Sequence, residues 1–166
     1  GIVDCQDLPL NISREMLQHN VVLQKIRTAI TRRVLKELSK LAENDPVAFE
    51  AFWLQFGPVI KEGLYDAVQH RDDIFKICRF YSTHEDGKLI SLEDYVSRMG
   101  DGQKSIFYIS GAKAHSLKNS PQIEGFKSRG IEVLLLEDTI DDFWIQSAMG
   151  FKDHPLVSVT KDFFFF

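Results

Sequence analysis

Ser105-Ile106-Phe107-Tyr108-Ile109-Ser110 is a short apolar run bounded by serines, rich in Ile, Phe and Tyr. That composition and length predict a buried strand. Downstream, residues 111–129 have helical character, with a break at Asn119-Ser120-Pro121 and a C-terminal stop at Gly130. Residues 131–136 repeat the buried-strand pattern, residues 139–148 read as a helix, and residues 156–160 read as a third strand. Strand–helix–strand–helix–strand implies right-handed crossovers and a small three-stranded parallel sheet covered by helices, an α/β/α sandwich.

Upstream of this unit the chain is helical. Over residues 19–42, Val22, Leu23, Ile26, Ile30, Val34, Leu38 and Leu41 recur in steps of three and four, and Lys and Arg fill much of the opposite face. Asn44-Asp45-Pro46 ends that helix and begins another, with Asp45 as cap and Pro46 at the first helical position. Phe49, Phe52, Trp53 and Phe56 give the second helix an aromatic core stripe. Gly57-Pro58 is expected to interrupt it, with a short resumption to about Leu64. Ile74, Ile77, Cys78 and Tyr81 suggest one more helix, and Glu85-Asp86-Gly87-Lys88 a turn. Ser91-Leu92-Glu93-Asp94 has the form of a capping box ahead of a helix to about Met99. Gly100-Asp101-Gly102 follows, and the change of composition there divides the chain into 1–18, a leading segment, 19–100, a helical coil region, and 101–166, the α/β sandwich.

Twenty Lys and Arg against 24 Asp and Glu give a formal net charge of −4, which argues against a general nucleic-acid binder. No apolar run reaches membrane-spanning length. Cys5 and Cys78 form no CxxC pair, the five histidines are scattered, and no metal site is expected. A reducing, cytoplasmic setting is the simplest one for two such cysteines. Glu137, Asp138, Asp141 and Asp142 cluster after the second strand. They are expected to cap a helix start and face water, with at least one of Phe143 and Trp144 in the core. Gly1-Ile2-Val3-Asp4 and the run Phe163 to Phe166 give both ends the look of a fragment.

The leading segment carries the sharpest chemistry. Pro9 keeps Leu8 extended, Ser13 reads as a helix cap, and Glu15 suits the positive end of the helix dipole. Arg14 does not suit it, by roughly 0.3–1 kcal/mol. A solvated arginine paired with Glu15 is one reading. A guanidinium presented to an anion beside free N–H groups is the other.

Asp7-Leu8-Pro9-Leu10-Asn11-Ile12-Ser13-Arg14-Glu15-Met16-Leu17-Gln18 resembles the catalytic-loop motif of the ninety-kilodalton heat-shock protein chaperones. Tyr95-Val96-Ser97-Arg98-Met99, Gln103-Lys104-Ser105-Ile106-Phe107-Tyr108-Ile109-Ser110-Gly111 and Leu156-Val157-Ser158-Val159-Thr160-Lys161 resemble later motifs of that family, in the same order. The resemblance implies a bacterial-type middle-domain fragment. It makes Arg14 the residue given to the γ-phosphate of ATP, with Asn11 and Gln18 as further contacts. In such chaperones ATP and Mg²⁺ are held by a separate amino-terminal domain, and a carboxyl-terminal domain makes a homodimer. The matching segment of bacterial relatives lies on a client-contact surface, which marks Asp142 and Phe143 as client-binding candidates. A protein-interaction module with no catalytic part is the alternative, and a free-standing nucleotide-binding α/β protein a third.

Overall fold

The computed structural model describes residues 21–111 and 113–160, together with Ile2 and Asp4. From Val21 the described chain forms two long helices, α1 (Val21–Asn44) and α2 (Pro46–Asp66). The corner between them is made as its residues predict: the Asp45 carboxylate accepts from the Ala48 N–H at 3.0 Å, and Pro46 occupies the first turn.

Pro58 does not break α2, contrary to the expectation from Gly57-Pro58. Proline costs a helix one hydrogen bond and a steric clash, together about 3 kcal/mol. Here tertiary burial outweighs that cost. Phe49, Trp53, Gly57, Lys61 and Leu64 follow at steps of three and four and are all buried. Gly57 belongs to the same fit. A Cβ there would lie 2.8 Å from the Trp53 ring, so the indole packs where a larger residue would stand. The aromatic stripe is core only in part: Phe49 and Trp53 are buried, Phe52 is half-buried, and Phe56 is exposed and stacked on Phe52.

A single 3-10 turn leads into α3 (Arg71–Ile77). Tyr81, expected on this helix, instead lies in strand β1 (Phe80–Ser82), which forms a hairpin with β2 (Leu89–Ile90). Gly87, at φ +70°, supplies the left-handed residue of the intervening turn. The Ser91–Asp94 capping box is present in both directions at the start of α4 (Leu92–Ser97). Next come β3 (Ile106–Ser110), α5 (Ala114–Lys118), α6 (Pro121–Lys127), β4 (Val133–Leu136), α7 (Asp141–Trp144), β5 (Gly150–Phe151) and β6 (His154–Ser158).

The three expected strands are β3, β4 and β6. They form the parallel centre of the sheet in the order β4-β3-β6. The sheet is larger than expected, however. Its order is β2-β1-β4-β3-β6-β5, with β1, β2 and β5 added antiparallel at the two sides. The helix predicted over 139–148 is shorter, one turn at Asp141–Trp144 followed by turns.

Side chains alternate across the sheet and feed two cores. Ile109, Val133 and Leu135 meet Leu117, Ile123 and Phe126 on one face. Leu134, Leu136 and Ile106 meet Phe75, Trp144 and the upstream helices on the other. The buried Tyr95 hydroxyl ties α4 to this sheet: it donates to the Glu132 carbonyl at 2.6 Å and accepts from the Phe107 N–H at 3.0 Å.

Burial pushes the Tyr95 phenol and the Cys78 thiol each up to about 12. Both groups therefore hold their protons in the folded chain at pH values where the unfolded chain gives them up. Stability from this source is complete below the unfolded values, near 8.5 for Cys and 10 for Tyr, and is lost as pH rises toward 12. We expect the thermal midpoint to fall progressively above about pH 9, and Cys78→Ala to remove the earliest part of that fall; circular dichroism melts across an alkaline series measure it. Gly57→Ala is expected to cost about 1–3 kcal/mol through overpacking against Trp53, read from the denaturant midpoint.

Candidate functional site

Arg14, Asn11 and Gln18 are the nucleotide-contact candidates of the sequence. These three, like the Ser13 cap and Cys5, lie outside the described residues. The other candidates, Asp142 and Phe143, stand on α7 and both are exposed.

The turn that holds them is organised by a buried lysine. Lys61 points inward from α2 with only 3% of its surface exposed. Its ammonium lies 2.8 Å from Asp138 Oδ2 and 2.9 Å from Asp141 Oδ1, and 4.8 Å from the centre of the Phe80 ring. Asp141 is fully buried. Its two oxygens also accept from the Trp144 indole Nε1 at 2.7 Å and from the Asp138 N–H at 3.1 Å. Burial alone would depress the Lys61 pKa, but the carboxylates of Asp141 and then Asp138 outweigh it and hold the ammonium above its ordinary value. This corrects the expectation that the four acids only cap a helix and face water. Asp141 is a core residue, Asp138 is half-buried against Lys61, and Glu137 accepts from the Ala114 N–H at 2.6 Å. Asp142 alone of the four is exposed.

Trp144 is buried against Phe75 and Phe80, with ring centres 5.6 and 6.1 Å away. Phe143, one residue earlier, therefore points outward. It is 53% exposed and meets Tyr65 of α2 edge-on at 6.4 Å. Arg71 closes the far side, donating from Nε to the Leu64 carbonyl and from Nη1 and Nη2 to the backbone carbonyl and hydroxyl of Ser147. The result is an aromatic pair, half in water, fixed between two helices with Asp142 beside it. Lys61 escaped the sequence reading. Its spacing from Gly57 and Leu64, on the buried face of α2, is the signal that could have found it.

Among the described residues no group of three or more His, Cys, Asp or Glu could hold a metal ion. Nor is any helix among them long and apolar enough to cross a membrane. Cys78 is a buried free thiol.

The family model for Hsp90 protein matches residues 1–166. The chain belongs to the Hsp90 family. It is 52% identical over 164 residues to chaperone protein HtpG of Anaplasma marginale, covering 97% of this chain and 26% of that protein. Against chaperone protein HtpG of Paramagnetospirillum magneticum the identity is again 52%, over 159 residues. The chain thus spans about a quarter of the length of the curated Hsp90-family relatives it matches. Among solved structures it is similar to the middle domain of a Plasmodium falciparum heat shock protein, with a TM-score of 0.79 and 27% identity, over 86% of this chain and 60% of that one.

Lys61 gives this Hsp90-family fold a sharp test. Lys61→Met leaves Asp141 charged, buried and unpaired, and is expected to cost about 3–5 kcal/mol. Adding Asp141→Asn removes the stranded charge and should recover most of that loss. Urea unfolding of both variants measures the difference.

Proposed function

We propose that this chain is part of the middle domain of an ATP-dependent molecular chaperone, and that Arg14 serves the γ-phosphate of ATP bound by a separate amino-terminal domain. The observation that carries the reading is the family match across all 166 residues, which includes the stretch from Asp7 to Gln18. Similarity to a structure described as a middle domain supports it.

The chemistry follows from charge. Phosphoryl transfer to water spreads negative charge over the γ-phosphoryl oxygens. A guanidinium meets two of them at once with a planar fork, and arginine fingers of this kind contribute roughly 10³–10⁵ in rate. Gln18, four residues on, shares a helical face with Arg14 if the segment is helical, and its amide can hydrogen-bond the phosphate or the docked domain. Asn11 precedes the cap as a third polar contact. Mg²⁺ and the nucleotide are held mainly by the amino-terminal domain, so docking of the two domains gates hydrolysis. A carboxyl-terminal domain supplies dimerisation, and the setting is cytoplasmic. Client polypeptides contact Asp142 and Phe143. The half-exposed Phe143 ring against Tyr65 supports that part of the reading, because such an aromatic pair beside a carboxylate gives apolar area with a polar rim.

Arg14→Ala in the full-length protein is expected to lower ATP turnover by roughly 10³-fold while nucleotide affinity is largely kept. Arg14→Lys should restore little, since a point charge lacks the fork. The chain by itself should show no turnover above buffer. Steady-state hydrolysis with a parallel nucleotide titration measures all three, and near-normal turnover in Arg14→Ala would remove the arginine from the mechanism.

A further inference from the structure

α7 is a single turn of four residues, Asp141–Trp144, with no side-chain bond capping its start. Such a turn does not hold its own shape. Nucleation fixes several dihedrals for one hydrogen bond, and helices shorter than about 12 residues are marginal on their own. The directions of its side chains are therefore set from outside. Successive helical residues lie about 100° apart around the axis, so fixing Trp144 inward turns Phe143 outward.

Two cations from the helical region do the fixing. Lys61 of α2 meets both oxygens of Asp141, Oδ1 at 2.9 Å and Oδ2 at 3.0 Å. The same Oδ1 accepts from the Trp144 indole at 2.7 Å. One ammonium thus holds the first residue of the turn and, through it, the last. Arg71 of α3 holds the segment that follows. Its Nη1 and Nη2 donate to the Ser147 carbonyl and hydroxyl, each at 3.0 Å, and its Nε donates to the Leu64 carbonyl at 2.9 Å. Phe143 lies between the two anchors in the chain. On α2, Lys61 and Leu64 lead directly to Tyr65, so both anchors tie the turn to the stretch that carries the partner ring of Phe143. Replacing a buried ion pair by apolar residues of like volume is often neutral or stabilising. Stability alone therefore does not account for an ammonium in this place, whereas selecting one orientation of the turn does.

We propose that Lys61 and Arg71 are positioning residues for the Phe143 contact: they hold a turn too short to hold itself, so that the ring is already ordered beside Tyr65 when a client segment arrives. This rests on the reading of Phe143 as a client contact and adds the residues that prepare it. Neither cation needs to touch the client. A side chain ordered before binding spares the cost of ordering it on contact, a factor of about two to ten in affinity.

The test uses the full-length protein and a fluorescein-labelled peptide with a Leu- and Phe-rich core, whose affinity is read by fluorescence anisotropy. Arg71→Met removes one anchor without stranding a buried charge, because Ser147 is exposed and its carbonyl can turn to water. Lys61→Met combined with Asp141→Asn removes the other. Each is expected to weaken the peptide about two- to tenfold, and Phe143→Ala about tenfold, with far-UV circular dichroism unchanged. The decisive comparison repeats both anchor variants in the Phe143→Ala background, where they should cause no further loss, since they act through that ring. An equal loss in both backgrounds makes the anchors merely structural and overturns the proposal. If Phe143→Ala weakens binding and neither anchor variant does, the positioning role is overturned and the Phe143 contact stands. If Phe143→Ala has no effect, the contact falls and the positioning role with it. A loss for one anchor alone overturns the assignment of the other. Should the Lys61 and Asp141 variant fail to fold, Arg71→Met decides: a loss that vanishes without Phe143 supports the proposal, and unchanged affinity overturns it.

Discussion

A buried ammonium has few acceptable surroundings. Moving such a group out of water costs several kcal/mol even after relaxation, and only good geometry with nearby carboxylates offsets it. Lys61 meets that condition by drawing Asp138 and Asp141 onto one nitrogen. Lys61 comes from α2, Asp138 from the loop after β4 and Asp141 from the start of α7, 77 and 80 positions away in the chain. Their pairing fixes the helical region against the sheet. Asp141 then passes the constraint on, since its other contacts are the Trp144 indole and the Asp138 N–H. Trp144 is held inward, and Phe143 is left outward against Tyr65.

The same helix presents two different faces. Inward, Phe49, Trp53, Gly57 and Leu64 pack a core tight enough to carry a helix through Pro58. Outward, Val47, Leu54 and Val59 are exposed, Tyr65 meets the Phe143 ring, and the exposed charges are acidic. Rigid backing is what makes such a face useful. A surface that is already ordered loses little side-chain entropy when a flexible segment settles on it.

Much of this architecture was legible in the sequence where local chemistry decides the outcome. Asp45-Pro46, the Ser91–Asp94 box, the turn at Gly87 and the stop at Gly130 are all properties of a few adjacent residues, and each is present. The parallel centre was legible because β3 and β4 are dense apolar runs. What escaped depends on residues distant in sequence. β1, β2 and β5 are two or three residues long, too short for a pattern in the sequence to announce them; they are strands because β4, β1 and β6 offer them a ladder. Tyr81 kept helical spacing with Ile77 but follows Cys78, where ψ 143° has already left the helix. Local propensity makes Pro58 a break because it cannot weigh the packing beneath it. Nothing near Asp141 in the chain announces Lys61, so its burial is not visible in the local sequence. Of the candidate site, the exposed pair Asp142 and Phe143 falls in the described structure, and its anchor was invisible until α2 and α7 were placed side by side.

The functional account joins this anchored surface to an arginine that acts on a nucleotide held elsewhere. Its central claim is that Arg14 engages the amino-terminal ATPase domain only when that domain carries ATP. Titrating the purified ATPase domain against this chain, with and without a non-hydrolysable ATP analogue, tests the claim most directly. The account predicts association that requires the analogue and disappears in Arg14→Ala. Association of equal strength without nucleotide, or unchanged by loss of Arg14, would contradict it.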